Sequence, residues 1–186
     1  MTIGAELRTG FTVDTNAASS ARELASLGVR ITGRSTVGDD TEIIAAAGRG
    51  ALERTGAVIT TGGLGPTCDD RTREALAECL GQKLIFDSEI ETAIRARFAK
   101  YQRVPTPNNL KQAYKFERGE VLPNANGTAP GLWIAHEGKL LIMLPGAPNE
   151  MQPMFTDLVL PRLTTLGLLA QGEAYLQMRT VGVGES

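Results

Sequence analysis

Two pairs of adjacent aspartates and three loops of small residues carry most of the chemistry open to this sequence. Ala57 to Asp70 reads Ala-Val-Ile-Thr-Thr-Gly-Gly-Leu-Gly-Pro-Thr-Cys-Asp-Asp, and a helical pattern follows directly. A short β-branched run, a glycine cluster and acids at a helix start make a strand–loop–helix unit. In an open α/β sheet, ligands bind where such loops leave the strands. Gly62, Gly63 and Gly65 permit positive φ and let backbone N–H groups come close to a ligand. The N–H groups at the start of the next helix, with its positive dipole end, suit phosphate. Asp69 and Asp70 stand at that same end and would repel a phosphate unless a divalent cation lay between them. The stretch therefore points to a metal-bridged nucleotide or pyrophosphate rather than a bare anion. The plainer alternative is that one aspartate caps the helix, and spacing alone does not separate the two.

Asp39 and Asp40 form the second pair, after another strand-like stretch. Carboxylates from two strand ends are a normal way to hold magnesium together with substrate phosphates. Capping would employ one acid of each pair and leave one spare in each, which favours a metal. Asn126 to Gly131 and Pro145 to Pro148 are two further loops of small residues after apolar strands. A parallel sheet delivers such loops to one edge, although each alone also reads as a tight connection. Asn108, Asn109, Lys111 and Gln112 form a polar cluster in which Lys111 could meet a phosphate as a point charge; a solvated loop is the alternative. His136 is expected at a hairpin tip, exposed and idle, and Trp133 in the core. Neither Cys68 nor Cys79 has a base at a recognisable spacing, so neither is assigned a nucleophilic role.

Composition narrows the class. The chain has 186 residues, 42% hydrophobic and 22% charged, with a net charge of −2. A chain of this length can bury roughly 70% of its unfolded surface, so its core needs no disulfide or structural metal. No basic block argues for nucleic acid. No apolar run approaches the roughly 20 residues that span a bilayer, and the N-terminus lacks a signal-peptide pattern, so the cytoplasm is the expected compartment. With two cysteines, no CxxC pair and one histidine, a Cys/His zinc site is excluded in practice. Any metal must be held by oxygen, as magnesium is.

The elements that must position these groups alternate. The chain opens on the end of a short strand at Met1 to Gly4, followed by a glycine-bounded polar loop over Gly4 to Gly10. A helix spans Ala17 to Leu27, a strand Val29 to Val37, a helix Glu42 to Arg54 and a buried strand Ala57 to Thr61. Thr72 to Leu80 is helical, Lys83 to Phe86 a weak strand, and Ser88 begins an amphipathic helix with Ile90, Ile94 and Phe98 on one face. A short helix follows at Leu110 to Ala113, and a strand ends at Val121 to Asn124. Leu132 to Ala135 and Lys139 to Leu144 flank His136-Glu137-Gly138 as a hairpin. The last helix runs from about Asn149 to Leu166, with Pro153 tolerable in its first turn and Pro161 expected to kink or end it. This order predicts an α/β fold with a mostly parallel sheet covered on both sides and one antiparallel hairpin. Residues 1–168 form one domain on this reading, and residues 169–186 begin a second.

Several of these residues carry a family resemblance. Gly4-Ala5-Glu6-Leu7, Val13-Asp14-Thr15-Asn16-Ala17, Thr36-Val37-Gly38-Asp39, the long stretch Ile59 to Thr67 and Asp69-Asp70-Arg71-Thr72-Arg73-Glu74-Ala75 occur in that order. Asn108-Asn109, Lys111-Gln112-Ala113, Gly127-Thr128-Ala129-Pro130-Gly131 and Leu144-Pro145-Gly146 continue it, and Thr180 to Ser186 resembles a lead into a next segment. Together they resemble the N-terminal domain of the competence/damage-inducible CinA family. The resemblance implies the molybdopterin-binding fold, a three-layer α/β/α sandwich. It also implies a metal-dependent ADP-ribose pyrophosphatase that gives AMP and ribose 5-phosphate, using Mg2+ or a similar ion and allowing a monovalent cation beside it, in a homo-oligomer. Cys68 stands where the family usually has an acid, leaving the loop one carboxylate short of that pattern.

Combined with the residues, the resemblance assigns Asp39 and Asp70 to the metal and to catalysis. Gly62, Gly63, Gly65 and the helix start at Asp70 would hold a phosphate. Gly127, Thr128 and Gly146 would wall the site, Lys111 would be a charge partner beside Asn109, and Glu6 and Asn16 would touch substrate or metal. A non-catalytic module binding molybdopterin or a nucleotide is the alternative.

Overall fold

A computed structural model of the chain describes residues 1–9 and 12–167. The first half supplies β1 (Thr2–Ile3), α1 (Ala5–Arg8), α2 (Thr15–Ser26), β2 (Thr36–Val37), α3 (Thr41–Thr55), β3 (Ala57–Thr61) and α4 (Thr72–Cys79). The second half supplies β4 (Leu84–Phe86), α5 (Ser88–Lys100), α6 (Pro107–Leu110), β5 (Tyr114–Phe116), β6 (Glu120–Leu122), β7 (Gly131–His136), β8 (Lys139–Leu144), α7 (Pro148–Met154) and α8 (Leu160–Thr165). Six strands form one sheet in the order β2-β1-β3-β8-β7-β6, and β4 pairs with β5 in a small separate sheet. The first four strands of the large sheet run parallel, while β7 and β6 are each antiparallel to their neighbour.

Strand β8 shows why its sequence has no charge between Leu140 and Leu144. Successive side chains leave a strand on opposite faces. Leu141 and Met143 join Ile44, Leu52, Val58 and Leu76 in one core beneath α3 and α4. Leu140, Ile142 and Leu144 join Leu24, Trp133, Met151, Phe155 and Leu163 in a second core beneath α2, α7 and α8. The sheet therefore has helices on both faces, which is the expected α/β/α sandwich. Gly48 of α3 lets α4 approach closely, because a side chain there would overlap Leu76 Cδ2.

The hairpin is as expected: Glu137 and Gly138 both take positive φ, at 49° and 74°, as the favoured two-residue hairpin turn requires. His136 ends β7 half-buried, 3.6 Å from Glu137, rather than fully exposed at the tip. Trp133 is buried in the core, as expected, with the Arg162 guanidinium 5.6 Å from its ring centroid.

Four expectations are corrected. The strand over Val29 to Val37 shrinks to β2, because β1 offers only Thr2 and Ile3 as partners for Thr36 and Val37. The loop after Gly4 contains the one-turn helix α1. Pro153 is not in a first turn: α7 begins at Pro148, which puts Pro153 inside the helix. The Asn149 carbonyl that a Pro153 N–H would have served instead accepts from Asn126 Nδ2 at 2.8 Å. Pro161 does not end the helix, which runs on to Thr165 after Phe155–Val159 widens into a π-turn in which the Leu160 amide reaches back to Phe155. Such a bulge absorbs local mismatch within an otherwise α-helical run. Residues 169–186, expected to begin a second domain, lie outside the described residues. Among the described residues, no helix is long and apolar enough to cross a membrane.

One ion pair fastens the small sheet to α5. Asp87 caps α5 through the amides of Glu89 and Ile90 and meets Lys115 Nζ at 2.9 Å. The Lys115 bond, then the helix amides, hold the Asp87 carboxyl below its usual 3.8. A depressed folded value means that this contribution is present at neutral pH and is lost as pH falls below 3.8 through the folded value. Thermal melts from pH 7 to pH 3 should show a shallower acid loss for Asp87→Asn than for the wild type; identical slopes would contradict the assignment.

Candidate functional site

The strand directions explain how distant residues share one edge. β1, β2, β3 and β8 are parallel, and β6 runs the same way because it is two antiparallel steps from β8. Their carboxyl ends open on a common cavity of about 690 Å³. Gly4 and Glu6 follow β1, Asp39 follows β2, the residues from Gly62 to Asp70 follow β3, Thr128 and Ala129 come from the loop after β6, and Pro145 to Pro148 follow β8. Asn16 enters from the first turn of α2. This is the edge where open α/β sheets bind ligands.

The loop after β3 is held by its carbonyls. Gly62 O accepts from Thr72 Oγ1 at 3.1 Å, and Gly63 O from the Thr72 amide at 3.2 Å. Leu64 O accepts from Arg73 Nη1 at 3.3 Å and Gln112 Nε2 at 3.4 Å. Among the described residues no peptide bond is cis, and in a trans peptide the following N–H points opposite to the carbonyl. The amides of Gly63, Leu64 and Gly65 are thus turned away from those anchors, and among the described residues they have no acceptor. Three successive free amides follow in a loop with positive φ at Gly62 (100°) and Gly63 (66°), and successive free amides are groups that an anion can engage. Side chains at Gly62 and Gly63 would overlap Ile3 O and Thr72 Oγ1, so the glycines are required for closeness as well as for backbone shape.

Of the four paired aspartates, one caps a helix. Asp40 caps α3 through the Ile43 amide at 3.0 Å, but Asp69 and Asp70 cap nothing. Helix α4 begins at Thr72, as the sequence predicts, but behind Arg71 and without a side-chain cap, so Asp70 does not serve the helix start as expected. The reason is local competition: Asp70 Oδ2 accepts from the Thr67 amide at 2.8 Å and Thr67 Oγ1 at 2.6 Å, closing a turn instead of a helix end. Asp39 Oδ2 is likewise held, by the Ala5 amide at 3.0 Å. Each carboxylate keeps its Oδ1 without a hydrogen-bond donor among the described residues. Glu6, Asp14, Asp39, Asp69, Asp70 and Glu150 all line the cavity, and among the described residues no lysine, arginine or histidine does. No three acidic, histidine or cysteine side chains among the described residues cluster tightly enough to hold a metal unaided.

Of the other expected site residues, Gly146 lines the cavity with its Cα side against Gly62. Gly127 lies just outside it, where a side chain would overlap the Glu150 carboxylate. Asn109 and Lys111 do not line it. Asn109 Oδ1 accepts from the Thr106 amide at 2.9 Å and Thr106 Oγ1 at 2.8 Å, a capping box that starts α6. Lys111 is exposed on the 3₁₀ turn Lys111–Ala113, and its neighbour Gln112 turns inward instead. Sequence reasoning missed Gln112, Glu150 and Arg73 as site residues. Arg73 is 1% exposed and makes no ion pair within 4 Å among the described residues. Burial pushes its pKa down, while Glu74 and Asp70 push it up. Its one readable signal is its place on the face of α4 that carries Leu76. Burial likewise raises the Cys79 thiol, in keeping with its having no nucleophilic role.

Comparison with known proteins agrees with this geometry. The family described as "Probable molybdopterin binding domain" matches residues 1–165. A CinA-like protein from Gemmatimonas aurantiaca is 50% identical over 165 residues, covering 88% of this chain and 39% of the relative. The chain spans less than half the length of the curated relatives it matches. The crystal structure of the protein CinA from Thermoplasma acidophilum superposes with a TM-score of 0.78 at 37% identity, covering 91% of this chain and 96% of that one. The molybdopterin biosynthesis enzyme MoaB from Thermus thermophilus shares the fold, with a TM-score of 0.53 at 22% identity over 89% of this chain and 91% of that one. By sequence and by fold, the chain belongs to the molybdopterin-binding domain family and, within it, to the CinA proteins.

Proposed function

We propose that the cavity binds a phosphate-bearing nucleotide and, with a divalent ion, hydrolyses the pyrophosphate bond of ADP-ribose or a related nucleotide. The observation that carries this reading is the pairing of three free amides at Gly63, Leu64 and Gly65 with a cavity that, among the described residues, has six carboxylates and no basic side chain. The amides suit a phosphate oxygen, and the carboxylates would expel it unless a cation accompanied it. ADP-ribose itself is the substrate that the likeness to the CinA family implies.

The donor set fits such a cation. Magnesium is usually held by one or two carboxylates, waters and substrate phosphates. Asp39 and Asp70 each have one oxygen fixed by a backbone amide and the other open. When bound there, the ion would polarise the phosphoryl oxygens and offset charge as it builds. The chain's own residues do the rest. The Gly63 to Gly65 amides orient one phosphate, Gly146 and Thr128 limit its movement, and Arg73 and Gln112 hold the loop from behind. Water attacks one phosphorus, the bridging oxygen leaves on the other phosphate, and the water proton passes to a cavity carboxylate, giving AMP and ribose 5-phosphate. A cytoplasmic location, where such nucleotides are found, belongs to the same proposal.

A second reading, a module that binds a pterin nucleotide without cleaving it, is favoured by the family description. Calorimetry with ADP-ribose and with molybdopterin, with and without magnesium and followed by product chromatography, separates the two. Magnesium-dependent ADP-ribose binding with product supports the hydrolase. Tight pterin binding with no product from ADP-ribose supports the module.

A further inference from the structure

We propose that Glu150 is a specificity-determining residue whose free Oε1 accepts hydrogen bonds from the vicinal hydroxyls of a ribose next to the phosphate held by the Gly63 to Gly65 amides. The inference rests on the phosphate site proposed above. Glu150 stands in the first turn of α7, half-buried, and lines the cavity. Its Oε2 accepts from Asn124 Nδ2 at 2.7 Å. Asn124 is itself fixed: the same Nδ2 donates to Ala129 O at 2.8 Å, and its Oδ1 accepts from the Asn126 and Gly127 amides at 2.9 and 2.8 Å. A side chain at Gly127 would overlap the Glu150 carboxylate and Asn124 Nδ2, so the loop after β6 is shaped around this pair. Glu150 Oε1 has no donor among the described residues, and unlike the Gln112 and Asn16 side-chain oxygens it is not sealed from solvent.

Such a carboxylate, held in place and open on one side, lacks a donor that only a ligand can supply. Among the described residues Glu150 makes no ion pair, and no basic side chain lines the cavity. It belongs to no cluster of three acids that could share a metal. Asp39 follows β2 whereas Glu150 follows β8, three places along the sheet, roughly 14 Å at the usual strand spacing. The ion proposed at Asp39 and Asp70 and the Glu150 carboxylate therefore flank the loop after β3 from opposite sides. On its own side Glu150 is four residues from Gly146, which packs on Gly62 at the head of the amide loop. The part of a nucleotide that extends from an amide-held phosphate to that neighbouring wall is the attached sugar. One carboxylate oxygen has lone pairs for two donors, which matches two adjacent hydroxyls, and hydrogen bonds to a charged acceptor are the strong ones. Carboxylates read ribose hydroxyls in dinucleotide sites by the same chemistry.

Calorimetry with magnesium, using AMP and 2′,3′-dideoxy-AMP, tests this on the wild type and on Glu150→Gln. The wild type should bind AMP at least about tenfold more tightly than the dideoxy compound. The glutamine can still accept from Asn124 Nδ2, so the loop stays held, while the group facing the cavity becomes a neutral donor. The preference should then fall at least about fivefold. The dideoxy compound should bind no more weakly than to the wild type, because a negative charge has left the cavity that holds its phosphate. Glu150→Met, which removes the acceptor outright, provides the same comparison if the glutamine variant does not fold. Equal weakening of both ligands would mean that Glu150 only braces the loop after β6. A preference that survives the substitution, or a wild type with no preference, would mean that Oε1 reads no hydroxyl. Each of these results overturns the inference alone; failure of the wild type to bind either compound would overturn the phosphate site as well.

Discussion

Gly63→Ala should lower the unfolding free energy by about 2–5 kcal/mol and abolish ligand binding. Two costs add. The residue sits at φ 66°, where a Cβ costs about 1–2 kcal/mol. That Cβ would also overlap Thr72 Oγ1, and forced repacking of a tight site costs about 1–3 kcal/mol. Thr72 cannot yield freely, because its hydroxyl and amide hold the Gly62 and Gly63 carbonyls. Gly138→Ala isolates the first cost: its φ is 74° and nothing lies within 4 Å of the added methyl. Urea unfolding of the two variants should therefore differ by about 1–3 kcal/mol. Equal losses would show that the glycine at 63 serves backbone shape alone.

Asp70→Asn should reduce turnover about 100-fold or more, the scale seen when one electrostatic group of a reacting site is removed, while shifting stability by no more than about 1 kcal/mol. The asparagine oxygen can still accept from the Thr67 amide and hydroxyl, so the turn that Asp70 closes survives. The charge that would help to hold a divalent ion does not. The loss should appear partly as a higher magnesium requirement, measurable by titrating the ion at saturating substrate. Because Asp70 does not cap α4, weakened function in this variant cannot be ascribed to a frayed helix. A variant as active as the wild type, with the same magnesium requirement, would remove Asp70 from the site.

The central unit of the fold was legible because strong local signals agreed with the global arrangement. Ala57 to Thr61 is an uncharged β-branched run before a glycine cluster, and it is β3 with the same bounds. Glu137-Gly138 between apolar runs marked the hairpin. The errors lie where a residue's partner is distant or where two local structures use the same chemistry. An aspartate that can cap a helix can also close a turn, and Asp70 closes a turn because Thr67 offers it both an amide and a hydroxyl. Pro153 looked tolerable only at a helix start, since nothing local reveals that Asn126 supplies the missing donor from another loop. Tyr114 to Phe116 is too short to announce a strand by itself, and it becomes one because β4 lies alongside it. Lys111 carries the charge, while its neutral neighbour Gln112 is the buried one. On a single 3₁₀ turn one of the two must face outward, and desolvating the ammonium is the costlier choice.

Release of AMP from ADP-ribose, measured with and without magnesium, tests the central claim most directly. AMP and ribose 5-phosphate should appear in equal amounts when magnesium is present, with none after chelation and recovery when the ion is returned. A folded protein that releases no AMP with magnesium, or releases it equally well after chelation, would contradict a metal-assisted pyrophosphate site between Asp39, Asp70 and the Gly63 to Gly65 amides.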